Sequence, residues 1–294
     1  MIVSIVIATR DRAQFLERAL VSLELQENAP AFEIIVADNG SSDRTQEVVR
    51  ETSARGKLAV RALFVLEPNR GAARNAGIAD AAGRYVLFVD DDVVLPSGFV
   101  AAHAAAHRGS FPLAVSGPII NVPGYEARPE PKAVNYSAAF FCTCNVSVPR
   151  ASLAAVGAFD ESFNLYGWED TELGLRLRNH GLRRAFAWDA YLWHIKPPRV
   201  ETLDAVLAKT VERAQMAARF LAKDASLRTK LATGAYGLNL LRSRLLAPRW
   251  SLDAYRRLAT SERAPAFLRA LGRAQLLDGA YTSTLRRALA ERRR

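Results

Sequence analysis

The chain has 294 residues, half of them hydrophobic, with two cysteines, four histidines and a net charge of +10. That length fits one large α/β domain with an appendage, or two domains, and can bury a sizeable core. Two cysteines exclude a disulfide framework, four histidines without ligand spacing speak against a structural zinc site, and no run of eighteen apolar residues suggests a transmembrane helix.

Cys142 and Cys144 sit two apart on an extended segment and read as small apolar side chains in a reducing cytoplasm. No basic region followed by a small-residue cleavage site marks a signal peptide. The charge is uneven: residues 201–294 hold 19 basic and 8 acidic side chains, a net of +11, and residues 1–200 are close to neutral. A basic segment with leucine stripes is suited to an anionic surface, so a peripheral position at the inner membrane face is one expectation for it. Nucleic acid is not expected, because aromatic residues are sparse among those arginines. A helical surface for homo-oligomer formation is the other reading.

In chain order, Val3–Ala8 reads as a first strand, and Asp11 with Gln14 three later reads as a helix cap before Phe15, Leu16, Ala19, Leu20 and Leu23. A second strand, 33–37, ends in Asp38-Asn39-Gly40-Ser41-Ser42-Asp43, a polar turn leading into a helix. A third strand, 60–66, is followed by Asn69-Arg70-Gly71 and an alanine-rich helix over 72–82, then a strand over 85–89. Three such alternations with short connections predict a mainly parallel sheet covered on both faces. Further on, the pattern predicts a helix over 97–107, strands over 114–120 and 139–148, and a proline-rich loop over 121–134 that could serve as a lid or acceptor contact. A short helix over 150–156, a helix from about Asp170 to the Gly181 stop and a strand over 185–194 complete this region, and helices follow from Leu203.

Ligands on such sheets bind outside the carboxyl ends of the strands. Thr9, Asp38, Arg70 and Asp90-Asp91-Asp92 all fall at those ends. Three carboxylates at the tip of a buried strand repel one another and are costly to desolvate, so a divalent cation is a natural companion. Asp170 lies at a helix start, where the dipole alone would favour a carboxylate. No G-x-G-x-x-G follows the first strand, which argues against a dinucleotide site.

The ordered set Val3–Arg12, Val36–Asp43, Asn69-Arg70-Gly71 with Ala73-Arg74-Asn75, Asp90-Asp91-Asp92, Gly157-Ala158-Phe159-Asp160 and Trp168-Glu169-Asp170 resembles family 2 glycosyltransferases. It covers about the first 195 residues, whereas residues 200–294 match nothing assignable. The resemblance implies a GT-A fold, an α/β Rossmann-like and mainly parallel sheet flanked by helices, over 1–199, with a basic helical C-terminal region over 200–294. It also implies transfer of a sugar, with inversion, from a nucleotide-diphosphate donor of UDP or dTDP type to a hydroxyl of a glycan, lipid-linked or small-molecule acceptor. Polysaccharide biosynthesis is the setting this suggests.

The resemblance further implies a nucleotide-sugar set of Thr9, Arg10, Asp38, Asn39, Arg70, Asp90 and Asp91. Thr9 and Asp38 match positions at the base, Arg70 one near base and phosphates, and Asp90 and Asp91 the ribose side. Asp92 matches the ligand of a Mg²⁺ or Mn²⁺ ion and His194 a position close to it. Asp170 matches the catalytic base, with Glu169 as the alternative and Trp168 and Glu169 on the acceptor side. The competing readings are a sugar-nucleotide-binding or scaffold subunit without turnover, and a sugar-nucleotide pyrophosphorylase. The pyrophosphorylase usually wants a glycine-rich loop after the first strand, where this chain has Thr9-Arg10-Asp11-Arg12.

Overall fold

A computed structural model describes residues 2–66, 69–109, 111–198 and 201–291. The Glu67-Pro68 step, the junction at 199–200 and the terminal arginines 292–294 lie outside the described residues. The chain divides into two compact units, 1–164 with 169–199, and 165–168 with 200–294.

The first unit runs β1 (Val3–Thr9), α1 (Ala13–Glu24), β2 (Phe32–Asp38), α2 (Thr45–Ala54), β3 (Val60–Phe64), α3 (Arg70–Asp80), β4 (Tyr85–Val89), β5 (Val93–Val94) and α4 (Phe99–Ala106). It continues through β6 (Leu113–Ser116), β7 (Ile119–Val122), β8 (Asn145–Pro149), α5 (Arg150–Val156), α6 (Glu169–Asn179), β9 (Arg183–Phe186) and β10 (Leu192–Ile195). Seven strands form one sheet in the order β3-β2-β1-β4-β8-β6-β9, and β5, β10 and β7 form a smaller one. The strands β3, β2, β1 and β4 are parallel, β8 runs against both β4 and β6, and β9 is parallel to β6.

The uninterrupted apolar strands are explained by burial on both faces. In β1, Ile5 and Ile7 join Leu16, Leu20 and Leu23 of α1 in one core, while Val6 faces a second core with Phe88, Leu173 and Leu177. The pleat divides β4 the same way, Leu87 and Val89 to the first core and Val86 and Phe88 to the second. With both sides filled, the polar ends of these strands are the part of the sheet left for chemistry.

Several boundaries differ from the sequence expectation. Asp11 does not cap α1: it sits at φ +50°, and its carboxylate accepts from Ser42 N at 2.7 Å. Asp43 supplies the cap from another loop, Oδ2 accepting from Ala13 N at 2.9 Å and Oδ1 from Thr45 N at 3.0 Å. One carboxylate thus satisfies orphan donors at the starts of α1 and α2. The predicted strand 114–120 is two strands in different sheets, parted at Gly117-Pro118. The segment 185–194 is likewise split into β9 and β10, and 139–148 is extended strand only from Asn145. Gly117-Pro118 and Asp189 interrupt these segments, but periodicity alone does not mark where a chain changes sheets.

The second unit contains α7 (Leu203–Lys223), α8 (Leu227–Thr233), α9 (Gly237–Leu246), α10 (Leu252–Thr260) and α11 (Ala266–Glu291). Thr202 caps α7 by accepting from Ala205 N at 3.2 Å. Its core is Ala214, Ala217, Ala218 and Leu221 of α7 against Leu285 of α11. Leu240 of α9 packs against this core, whereas Leu238, Leu241 and Leu245 of the same helix are 76, 55 and 70% exposed. Trp250 is 84% exposed.

Gly117 marks the tightest corner. A Cβ there would stand 1.9 Å from the carbonyl oxygen of Ala190, a backbone atom held from its other side by Asn145 Nδ2 at 2.8 Å. Gly117→Ala is expected to destabilise the first unit by about 2–4 kcal/mol, read as a lower urea midpoint; an unchanged midpoint would show that the corner relaxes freely.

Candidate active site

The site is built where β1, β2 and β4 end. Thr9 and Asp38 are in register across β1 and β2. Thr9 is buried, and its hydroxyl donates to Asp91 Oδ2 at 2.7 Å. Asp38 is fully buried, with Oδ1 accepting from Ser41 N at 2.8 Å and Oδ2 without a hydrogen-bond partner. Asn39 accepts from Asn69 N at 2.8 Å, which ties the β2 turn to the start of α3.

The three acids divide their work. Asp91 is buried between Thr9 and Arg12, whose Nη1 lies 2.9 Å from Oδ1. Burial pushes its carboxyl up to about 6 in spite of these partners. Asp92 is as deeply buried, but burial is outweighed there by His194 and Arg12, and its carboxyl is held well below the usual range. Arg12 Nη2 and Lys196 Nζ reach Asp92 Oδ2 at 2.7 and 3.2 Å. His194 Nε2 lies 3.0 Å from Oδ1. That last pair is close but off-line, so Asp92 Oδ1 and His194 Nε2 are both buried without a hydrogen-bond partner.

The smaller sheet brings His194 there. It sits opposite Val93 across the β5–β10 pair, and Ile195 N donates to Asp92 O at 2.8 Å. Asp90, Cys144 and His194 form a third contact, with one ligand atom of each lying within 4.8 Å of the others. Cys144 nevertheless belongs to the first hydrophobic core, as its apolar reading expected, and burial and then Asp90 push its thiol well up and keep it protonated.

The second half of the site stands on α6. Asp170 Oδ2 accepts from Thr143 N and Oγ1 at 2.8 and 2.9 Å. Its Oδ1 is buried and lacks a hydrogen-bond partner, with Arg74 Nη1 at 3.8 Å. Burial pushes this carboxyl up to about 6, with Glu169 adding to the effect and Arg74 opposing it. Arg74 is also 3.6 Å from Glu169. Burial disfavours its charge, but Asp170, Asp90 and Glu169 more than restore it. Asp90 thus touches both halves, through Cys144 and His194 on one side and the field of Arg74 on the other. Asp92 and Asp170 are connected through His194, Asp90 and Arg74 rather than by direct contact.

The motif around α3 is a clamp. Asn69 caps the helix by accepting from Gly71 N and Ala72 N, and donates to Glu161 O at 2.8 Å. Asn75 donates to Phe159 O and accepts from Phe159 N, both at 2.9 Å. Gly157 and Ala158 adopt positive φ to form that turn.

Arg10 is exposed, with its guanidinium 3.6 Å from Asp11, and Arg70 is exposed at the first turn of α3. Trp168 groups with the second unit: its ring lies 5.1 Å from the Arg213 guanidinium and its Nε1 donates to Arg213 O at 2.9 Å. Sequence reasoning gave no role to Arg12, Arg74, Thr143, Cys144 or Lys196. Arg12 and Arg74 lay inside quoted motifs, and an arginine near clustered acids was the available signal.

The donors at the end of β4 suit a divalent cation. A carboxylate oxygen and an imidazole nitrogen converge, buried and unsatisfied, beside a further carboxylate.

A sheet switching direction beyond its acid-tipped central strand is that of GT-A fold transferases, and solved structures agree. The N-terminal fragment 1–349 of TarS from S. aureus, crystallised with UDP-GlcNAc, has a TM-score of 0.59 at 19% identity and covers 100% of this chain and 92% of its own. The mannosyltransferase PcManGT of Pyrobaculum calidifontis, in complex with GDP-Man and Mn²⁺, has a TM-score of 0.59 at 20% identity, covering 98% and 86%. Residues 4–141 match the family described as glycosyl transferase family 2, and residues 127–218 match the N-terminal domain of galactosyltransferase. The validoxylamine A glucosyltransferase of Streptomyces hygroscopicus subsp. limoneus is 30% identical over 275 residues, covering 78% of this chain. This chain spans 58% of that relative's length. Over residues 4–141 the chain is thus similar to glycosyl transferase family 2, and it has the fold of GT-A transferases.

If Asp92 and His194 hold a cation, Mn²⁺ should raise the melting temperature of the wild type, and EDTA should reverse the shift. Asp92→Ala and His194→Ala are each expected to lose most of that increment; a full Mn²⁺ shift in both variants would place the ion elsewhere.

Proposed function

We propose that the chain transfers a sugar from a nucleoside-diphosphate donor to an acceptor hydroxyl with inversion at the anomeric carbon, and that residues 1–199 carry the reaction. The observation that carries this reading is the pair of buried, unsatisfied atoms Asp92 Oδ1 and His194 Nε2 beside Asp90 at the end of β4, with a buried, unsatisfied Asp170 Oδ1 near Arg74, whose charge Asp90 also supports. Relatives named as transferases and neighbours solved with UDP-GlcNAc or GDP-Man support it. Nothing in them favours a pyrophosphorylase or a scaffold without turnover.

The base of the nucleotide is read at Thr9, Asp38 and Asn39, where the free Asp38 Oδ2 can accept an imide N–H. Arg10, Arg70 and Lys196 supply positive charge toward the phosphates, and Asp90 and Asp91 face the ribose side. A divalent cation, Mg²⁺ or Mn²⁺, at Asp92 and His194 would stabilise the charge that develops on the departing diphosphate. Arg12 keeps the adjacent acids ionised and in place.

Asp170 serves as the base. Thr143 holds Oδ2, leaving Oδ1 for the acceptor proton. The acceptor oxygen forms its bond to the anomeric carbon as the bond to the phosphate oxygen breaks; that electron pair leaves with the nucleoside diphosphate and the proton passes to Asp170. A carboxyl pushed up to about 6 is a stronger base than an ordinary aspartate and is still ionised near neutrality. Glu169, next to this base on α6 and 3.6 Å from Arg74, is the acceptor-side residue of the first unit.

Turnover should rise as pH climbs through about 6, because Asp170 must be ionised. Asp170→Asn should abolish transfer while donor binding persists. The folded-state value lies above the unfolded one, so this group stabilises the fold in acid and loses that contribution as pH rises through about 6. Asp170→Asn should therefore melt no lower than the wild type at neutral pH. Near-normal turnover in that variant would refute the base assignment.

The second unit is proposed to dock at an anionic membrane surface, close to a lipid-linked acceptor. Its net charge of +11 and the exposed Leu238, Leu241, Leu245 and Trp250 support this. Each basic residue near such a surface contributes about 1 kcal/mol. No helix of the described residues is long and apolar enough to cross a membrane. Vesicle co-sedimentation should require anionic lipid and fall with salt; binding indifferent to both would defeat the docking.

A further inference from the structure

Three aromatic rings stand together on the first unit without a core to cover them. Tyr136 and Trp188 are 49 and 43% exposed, and Phe186 is half-buried between them. The Tyr136–Phe186 and Phe186–Trp188 centroids are 4.9 and 5.1 Å apart, and Tyr136–Trp188 6.5 Å. The Arg184 guanidinium lies 5.1 Å over Tyr136, donates to its hydroxyl, and donates to Ser137 O at 2.6 Å. These contacts hold the rings as a fixed platform rather than as loose surface side chains.

The platform is placed by the sheet. Since β9 is parallel to β6, and β8 runs against both β6 and β4, Phe186 at the end of β9 lies on the same edge as Asp90. Three strand spacings separate them, about 14 Å. The turn carrying Trp188 is pinned at Ala190 O by Asn145 Nδ2, at 2.8 Å, and Asn145 is in register with Val89, the residue before Asp90. The segment carrying Tyr136 runs on to Thr143, which holds Asp170. Both sides of the platform are thus attached to backbone that supports the two halves of the site.

We infer that Tyr136, Phe186 and Trp188 form a stacking subsite for a sugar ring of the acceptor, an oligosaccharide whose reacting end reaches Asp170. This rests on the transferase reading above. A pyranose is polar at its rim but presents a face of axial C–H bonds, slightly positive, that suits the negative face of an aromatic ring. Arg184 and the Tyr136 hydroxyl border the rings with hydrogen-bonding groups for sugar hydroxyls. Rigid rings lose little rotational freedom on binding. About 14 Å between the platform and the acid-tipped end of β4 exceeds one sugar ring, so a chain of linked sugars suits the span better than a single one.

The test uses the full chain, isotope-labelled at its indole nitrogens, with the Trp188 signal assigned from Trp188→Phe. It is titrated with glucose, maltoheptaose, cellohexaose, chitohexaose and a hyaluronan octasaccharide. At least one oligosaccharide should shift Trp188 at millimolar concentration, and glucose should not. Trp188→Ala, checked for fold by its melting temperature, should weaken that binding by about tenfold, and Trp188→Phe should retain most of it. The subsite is overturned if no oligosaccharide shifts Trp188, if binding survives in Trp188→Ala, or if the signal instead follows self-association of the chain. Nucleotide-sugar hydrolysis by the wild type is measured separately. Glycan binding at Trp188 without any hydrolysis would sink the transferase reading and leave a glycan site; hydrolysis without glycan binding would sink the subsite alone.

Discussion

The structure depends on keeping three consecutive carboxylates at the end of a buried strand. Asp91 and Asp92 are nearly inaccessible, and neither could remain ionised there alone. The chain answers with Arg12 from the turn after β1, Lys196 just past β10 and the imidazole of His194. The smaller sheet exists largely in this role, since β10 pairs beside Asp92 and its backbone bonds directly to it. The compensation is incomplete at Asp92 Oδ1, and that residual acceptor is what a cation would use.

A different balance holds at Asp170. One oxygen is fully engaged by Thr143, the other faces only a distant arginine. Asp92 and Asp170 are thus pushed in opposite directions by their surroundings, one strongly acidic and one made more basic. Such a separation keeps Asp92 ionised over a wide pH range and lets Asp170 exchange a proton near neutrality.

Much of this was legible in the sequence. The alternation of apolar runs and helical spacing placed β1 to β4, and the acid triplet, the β2 turn and the α6 start fell where such sheets bind ligands. The mixed character of the sheet was not legible: β8 is antiparallel, and an apolar run carries no sign of direction. The split at Gly117 was signalled by Gly117-Pro118, but the close approach to Ala190 that decides the path was not legible. Arg12, Thr143 and Lys196 escaped notice because their roles arise from long-range contacts with Asp91, Asp92 and Asp170. Asp43 shows the same limit, capping a helix thirty residues upstream while Asp11, the local candidate, bonds elsewhere.

The clamp between α3 and the 157–161 turn has a practical consequence for recombination. Asn69 and Asn75 lie in the segment matching one family description, whereas Phe159 and Glu161 lie in the segment matching only the other. A hybrid enzyme joined at the border of those segments would separate partners that satisfy each other's amides. Domain shuffling within such proteins should therefore treat residues 69–75 and 157–161 as a single cassette, inherited together from one parent.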